Sequence, residues 1–540
     1  MIDRQQATRE TRNQTLNPGQ KNPKGCDFVQ YSEETRFFGC CSIEDVTASI
    51  FLTFLLSLAG FLYFFLASLH EPIVDEAVFG RAAKQILDGD LWLEKLVVYK
   101  PFMVYYLKAL TYEIFGTSAL AGRIPGIVST LVVVWLVYRL AKRLAGRWAG
   151  LLSAFLFAFS PFTLGYLPTG TADALALAFV IGAADAAWRD RVVWSGFLFG
   201  LAFCTRQMVV WNAPLILALS VLSAPKADTD YSPVRLVVNR TWSLAKGALV
   251  PLYVLFLWST KLHPPFSWIV SELSQPKYHS GHHLVIGFDE KLFYWISVSL
   301  NFFAAKFISV ASLVVVPGCA IALWWTWRRG IWRPKSRLHL AVLFAVSTFL
   351  LFFYLVHSLW FFTTYARFMA PAAPWVIIMT SVLLKALSDR IVRRLPILKQ
   401  AAPSICVLVL VVTTFFGTVA YTIQQRRHLP TDELPVAMRW VEQHYGAQAR
   451  FITAHYRPEA IYAAHGARLH TLDYDRKKYR LWHFAQQANQ HPTFLFLDDR
   501  DVRTELEEIR RMIAPKYNLK EIIVRGVVVS RVYKIEPSHC

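Results

Sequence analysis

Two carboxylates stand side by side at Asp75 and Glu76, directly after an apolar run that ends near residue 69. Adjacent acids at a membrane surface are costly unless a partner, a cation or a substrate meets them. Such a pair could supply a base to a reacting hydroxyl. The competing reading is a solvated helix start, where the macrodipole favours acids. A further carboxylate, Asp173, is the lone charge in the run PTGTADALALAF. It reads either as a site residue or as part of a helix start capped with help from Thr169 and Thr171. Arg206, in GLAFCTRQMVVWNAP, is a cation within apolar surroundings. Such a cation faces an anion or water by default, and snorkelling to the headgroups is the alternative. In the stretch 261–300, Lys277, His279, His282 and His283 are crowded together. Three readings stay open there: a metal site, a phosphate or acceptor contact, or a solvated loop. The spacing matches no zinc-protease pattern.

The elements that must position these groups are apolar. Of 540 residues 55% are hydrophobic and 17% charged, against about 45–50% and about 25% in soluble domains. Eleven apolar stretches approach the length needed to cross a bilayer of about 30 Å. They lie near 48–69, 119–140, 149–167, 171–187, 193–207, 208–223, 244–260, 307–327, 338–357, 368–387 and 402–422. The pair 193–207 and 208–223 also fits one kinked helix followed by a re-entrant turn. This composition excludes a disordered chain, a disulfide scaffold and an ordinary cytosolic enzyme.

The formal charge of +20 would suggest nucleic acid in a soluble protein. Here +18 of it falls within residues 48–429. With the N-terminus placed in the cytoplasm, the cytoplasmic connections and their flanks carry 20 basic and 5 acidic residues, among them Lys142, Arg143, Arg147, Arg189 and Arg191. The other side carries 14 and 11. That asymmetry is topological, and no nucleic-acid partner is expected. An odd number of spans places residues 430–540 outside, on a plasma (inner) membrane protein. The first apolar stretch follows 47 polar residues without a small-residue cleavage site, and so reads as an anchor. The seven cysteines show no metal or disulfide spacing, and the sequons at Asn13 and Asn239 fall on the cytoplasmic side.

Three regions result: a polar tail at 1–47, a membrane region at 48–429, and a soluble region at 430–540. The first outer loop, 70–118, is too patterned for a linker. Ala77, Ala82 and Ile86 alternate with Arg81, Lys84 and Gln85, which predicts an interfacial helix. A second such helix is expected near 102–115. Residues 430–540 alternate helical and strand-like runs, with strands expected at 450–454, 468–472, 493–498, 518–524 and 526–533, an α/β pattern. No Gly-rich phosphate loop occurs there. Asp498, Asp499 and Asp501 read as a solvated acidic turn or a cation site.

The order D-E, helix, G-D-x-W, Y-K-P, a Tyr-rich helix, F-G and A-G-R-x-P resembles the first outer loop of the GT-C glycosyltransferases. The lipid A aminoarabinose transferase and protein O-mannosyltransferase families are the nearest in pattern. The matching residues are Asp75, Glu76, Gly89, Asp90, Trp92, Lys100, Pro101, Tyr106, Phe115, Gly116, Arg123 and Pro125. Arg367, with Tyr365 two residues before it, resembles the segment that enters a late span in this family. Two positions depart from the pattern: Tyr99 stands where aminoarabinose transferases carry Glu, and Phe102 where many relatives carry a second Pro. Donor-sugar specificity is therefore not transferred.

The resemblance implies a GT-C fold of about 11 transmembrane helices with outer-face juxtamembrane helices, plus a C-terminal extracytoplasmic α/β domain. It implies a polyprenyl-phosphate-linked sugar as donor and a lipid, glycan or protein as acceptor. In that frame Asp75 is the expected base, Asp173 the second site carboxylate, and Glu76 an aid in positioning the acceptor. Lys100, Arg206 and Arg367 would hold the lipid phosphate, with Tyr99, Tyr365, Lys277, His279, His282 and His283 as further substrate contacts. No cofactor is required, and a divalent cation is compatible. The expected reaction is a single displacement with inversion. A flippase for lipid-linked glycans is the main rival, but no internal repeat of the transporter kind is found. A catalytically silent membrane scaffold is the third reading.

Overall fold

The computed structural model describes residues 43–69, 74–94, 98, 100–225, 232–269, 288–299, 302, 334–360, 366–394, 412, 414–420, 440–441, 443–446, 449–453, 468–471, 492–496, 511, 517–525 and 529–537. Among the described residues the helices of the membrane region include, in chain order, α1 (Ile43–Leu69), α2 (Val74–Leu87), α3 (Met103–Phe115), α4 (Ala119–Ala145), α5 (Arg147–Ala158), α6 (Pro161–Tyr166), α7 (Ala172–Trp188), α8 (Val192–Phe203), α9 (Ala213–Leu222), α10 (Pro233–Lys261), α11 (Phe288–Ser299), α12 (Pro334–Trp360) and α13 (Ala373–Arg394). Among the described residues, four helices are long and apolar enough to cross a membrane: Val46–Ser68, Ala119–Ala145, Pro233–Lys261 and Ala341–Ser358.

Helix α1 shows why water is the wrong solvent for this surface. Leu52, Leu55, Ala59, Tyr63 and Leu66 form its buried stripe, at helical spacing. The opposite face is no more polar: Phe54 is 66% exposed and Phe61 70%. A helix that is apolar all round, with only one side covered by protein, presents its other side to lipid. The same holds for α10, where Leu249, Val250 and Tyr253 are exposed. The chain is therefore a membrane protein. At the centre of the bundle lies α7, in which Ala174, Ala176, Ala178, Ala183, Ala184 and Ala187 are buried. Its small side chains let α4 and α8 approach closely. Helices α8 and α10 approach closer still. A Cβ on Gly196 or Gly247 would run into the facing backbone carbonyl of Leu244 or Val193.

Local signals set the boundaries. Ser118 caps α4, its hydroxyl accepting from the Ala121 N–H at 3.1 Å. Gly146, at φ +89°, divides α4 from α5. The single span expected at 149–167 is two helices, α5 and the short α6. Pro161 cannot continue the ladder, and Ser160 caps the new start by accepting from Thr163 N–H at 2.9 Å. The expected stretch 193–223 resolves into α8, a 3₁₀ turn (Gln207–Asn212) and α9. Arg206 sits at that break in extended conformation. The span expected at 244–260 begins earlier, at Pro233, behind the cap Ser232. Helices α2 and α3 occupy the two segments expected of the first outer loop. The expected span 307–327 lies outside the described residues, and of 402–422 only 412 and 414–420 are described, as helix.

In the C-terminal region five strands, β1 (Arg450–Thr453), β2 (Arg468–Thr471), β3 (Thr493–Phe496), β4 (Tyr517–Arg525) and β5 (Val529–Pro537), form one sheet in the order β2-β1-β3-β5-β4. The first three are mutually parallel, and the β4–β5 hairpin adds antiparallel through β5. The last strand begins three residues later than the alternation suggested. Asp498, Asp499 and Asp501 lie outside the described residues.

Candidate active site

The first turn of α2 carries both acids of the Asp-Glu pair, and successive residues on a helix point about 100° apart. Glu76 turns inward and is 1% exposed. Arg123, one turn into α4, holds it with a fork: Nε donates to Oε1 at 3.0 Å and Nη2 to Oε2 at 2.6 Å. The third arm of Arg123, Nη1, donates to the Ala67 carbonyl at the end of α1, at 2.7 Å. The Gly170 N–H also donates to Glu76 Oε1. Lys108 of α3, equally buried, donates from Nζ to the Glu76 backbone carbonyl at 2.8 Å. Glu76 and Arg123 together thus tie the end of α1, helices α2, α3 and α4, and the loop before α7. Gly170 is required there, because a Cβ would lie 2.7 Å from Lys108 Nζ and 2.9 Å from the Gly122 carbonyl oxygen.

Burial pushes the Glu76 pKa up, but Arg123, Lys108 and the Gly170 N–H outweigh it and hold the carboxyl below its ordinary range. For Lys108 burial acts in the opposite sense and is not outweighed. Burial dominates over the attraction of Glu76 and lowers its pKa from 10.5 to about 7. Between those pH values the unfolded chain binds a proton that the folded chain does not, so stability rises with pH across that window. A Lys108→Met protein loses this contribution. Its thermal midpoint in detergent should change less between pH 7 and 10 than that of the unaltered protein; equal slopes would place the titration elsewhere.

Asp75 faces the other way. It pairs with Arg367, which lies in the 3₁₀ turn Ala366–Met369 before α13, and both side chains are 23% exposed. Asp173, in the first turn of α7, pairs with Arg206 from the α8–α9 break, and both are nearly fully buried. Phe368 lies between the two guanidiniums, its ring centroid 5.1 Å from that of Arg206 and 6.0 Å from that of Arg367. Asp173, Arg206, Arg367 and Phe368 border a small cleft whose wall also includes His357, Phe353 and Pro371, and Asp75 reaches its edge only through Arg367. It is apolar except for one carboxylate, two guanidiniums and an imidazole. Such a lining suits an anionic headgroup attached to an apolar tail.

The folded chain therefore brings together Asp75, Asp173, Arg206 and Arg367, which are up to 292 residues apart in sequence. Glu76, expected from the sequence to position an acceptor, is instead locked within the protein by Arg123 and Gly170 and does not line the cleft. Lys100 precedes α3, its backbone N–H donating to the Tyr105 hydroxyl at 3.1 Å, and is not among the lining residues. Tyr99, Tyr365, Lys277, His279, His282 and His283 lie outside the described residues. Sequence reasoning assigned no role to Lys108 or His357. The signal for His357 was a lone imidazole in the apolar run YLVHSLW, where it now sits buried with Nδ1 2.8 Å from the Phe353 carbonyl oxygen. Among the described residues no group of three or more His, Cys, Asp or Glu side chains is arranged to hold a metal ion.

Residues 99–235, which include Lys108, Arg123, Asp173 and Arg206, match the family model described as dolichyl-phosphate-mannose-protein mannosyltransferase. No curated protein matches the chain in sequence. Among solved structures, the fold is shared with ArnT from Cupriavidus metallidurans bound to undecaprenyl phosphate, with a TM-score of 0.62, 13% identity, and coverage of 89% of this chain and 97% of that one. The oligosaccharyltransferase of Archaeoglobus fulgidus in its apo form gives 0.52 at 12% identity, over 90% of this chain and 74% of that one. The archaeal oligosaccharyltransferase AglB from the same organism, in complex with an inhibitory peptide and a dolichol-phosphate, gives 0.51 at 12% identity over the same shares. These neighbours are GT-C glycosyltransferases, and the membrane region of this chain has their fold.

Proposed function

We propose that this chain is an integral membrane glycosyltransferase that moves a sugar from a polyprenyl-phosphate carrier to a hydroxyl of a lipid, glycan or protein acceptor. The observation that carries the reading is two Asp–Arg couples whose guanidiniums flank Phe368 at one cleft, in a fold shared with an enzyme solved with undecaprenyl phosphate. A guanidinium has five donors, so Arg206 and Arg367 can each serve a carboxylate and a phosphate together. The lipid phosphate draws Arg367 toward itself and releases Asp75 to act as a base. The acceptor oxygen then bonds to the anomeric carbon while its proton passes to Asp75. The bond from that carbon to the phosphate oxygen breaks, and its electron pair leaves with the polyprenyl phosphate. Arg206, oriented by Asp173, stabilises the charge that develops on the leaving group. Lys100 is assigned to the same phosphate on its approach.

One displacement inverts the anomeric centre. Because sugar nucleotides are cytoplasmic, a lipid-linked donor suits a site at the outer face. In this reading the N-terminus lies inside and the sheet-bearing C-terminal region outside, where it would help position the acceptor. The rival reading is a flippase, and one assay separates the two. Purified protein is given a labelled polyprenyl-phosphate sugar and an acceptor extract, in detergent and in liposomes. A transferase labels the acceptor and frees polyprenyl phosphate in both. Movement of intact donor across the liposome bilayer without bond cleavage would overturn the proposal.

A further inference from the structure

Helix α7 carries a second buried acid, Asp185, twelve residues beyond Asp173, or about 18 Å along the axis, at the end of the bundle away from the cleft. Three guanidiniums converge on it. Arg139 of α4 reaches Oδ2 at 3.2 Å, Arg189 after α7 reaches Oδ2 at 3.2 Å, and Arg143 reaches Oδ1 at 3.9 Å. Arg191 is near enough to act electrostatically on both Asp185 and Arg139. One carboxylate cannot neutralise this set, and the neighbouring Asp190 is paired with Arg240. The three converging arginines keep 20%, 33% and 27% of their side chains exposed, in the order Arg139, Arg143, Arg189.

The approach to this cluster is apolar. Along one face of α4, Val128, Val132 and Trp135 are exposed by 53%, 39% and 40% at helical spacing, and the next residue on that stripe is Arg139. The Arg139 guanidinium stacks over the Trp135 ring at 4.3 Å. Trp148 and Trp194, 70% and 63% exposed, lie close in sequence to the helix starts at this end, the depth at which tryptophan meets headgroups. An apolar track ending in three guanidiniums that share a single carboxylate matches an acyl chain that ends in a phosphodiester.

We propose that Arg139, Arg143 and Arg189 form a binding site for the headgroup of an anionic phospholipid, with one acyl chain lying along Val128, Val132 and Trp135. This site is separate from the cleft and does not depend on the glycosyltransferase reading. Basic pockets between transmembrane helices bind anionic headgroups by this chemistry.

Native mass spectrometry of the purified full chain tests it, with phosphatidylglycerol, phosphatidylcholine or inorganic phosphate added. One phosphatidylglycerol should be retained at concentrations where phosphatidylcholine is not. A combined Arg139→Gln and Arg143→Gln protein should bind it at least about tenfold more weakly, whereas Arg235→Gln, the same kind of charge loss on an exposed residue of α10, should not. If the double variant does not yield folded protein, Arg143→Gln alone, at the most exposed of the three, should still weaken binding. Equal retention of both lipids, or equal affinity in the Arg143 variant, would overturn the proposal. So would inorganic phosphate binding that phosphatidylglycerol fails to displace.

Discussion

Replacing Asp75 with Asn should slow sugar transfer by about 10²–10⁴-fold, the usual worth of a positioned general base, while lipid-phosphate affinity stays the same or rises. The two halves of this expectation have different origins. The amide keeps the size of the carboxylate but cannot take the acceptor proton, so the chemical step suffers. The amide also no longer neutralises Arg367, whose guanidinium is otherwise paired with Asp75. That cation then becomes more available to the phosphate. A turnover assay and a direct binding measurement with polyprenyl phosphate separate the effects. If both fall together, Asp75 holds the fold of the cleft instead of serving the reaction. If neither changes, the base lies elsewhere.

The second large effect is structural. Arg123→Met should destabilise the protein by about 3–5 kcal/mol, because it strands a buried carboxylate without its counter-ion. Glu76 is almost wholly enclosed, and Arg123 provides two of its hydrogen bonds and a charge. Adding Glu76→Gln to that variant should recover part of the loss, since a neutral side chain costs less to bury unpaired. Thermal or denaturant unfolding in detergent, run as a double-mutant cycle, checks the point. Additive losses would mean that the pair does not couple α2 to α4. The cluster also adjoins both reacting regions: Glu76 neighbours Asp75, and Gly170 lies three residues before Asp173. Loosening it should therefore reduce transfer at temperatures where the variant is still folded.

Much of this architecture is written in the hydropathy pattern of the chain. Apolar runs located α1, α4, α7 and α12, and the amphipathic patterns of the first outer loop located α2 and α3. The ordered run from Asp75 to Pro125 pointed to the fold that this chain shares with ArnT and AglB. What remained hidden has identifiable causes. Adjacent acids at a helix start look alike in sequence, and only the rotational setting of α2 decides that Glu76 turns to Arg123 while Asp75 turns to Arg367. The couples Asp75–Arg367 and Asp173–Arg206 join distant segments, so no local spacing encodes them. Ser160–Pro161 divides α5 from α6 inside what hydropathy reads as one span, because hydropathy does not register a missing N–H. Lys108 resembled any surface lysine of an amphipathic helix until α4 and the loop at Gly170 closed over it. The strands of the C-terminal sheet were found by alternation, yet their order, with β1 and β3 parallel neighbours and β5 between β3 and β4, is a tertiary property.

The most direct test of the account is the chemical identity of the products. Purified protein is incubated with a polyprenyl-phosphate sugar of defined anomeric configuration, and released lipid and glycosylated acceptor are quantified together by mass spectrometry and NMR. One free polyprenyl phosphate is expected per sugar transferred, with the opposite anomeric configuration in the product. A product of retained configuration, or donor that is moved but never cleaved, would contradict it.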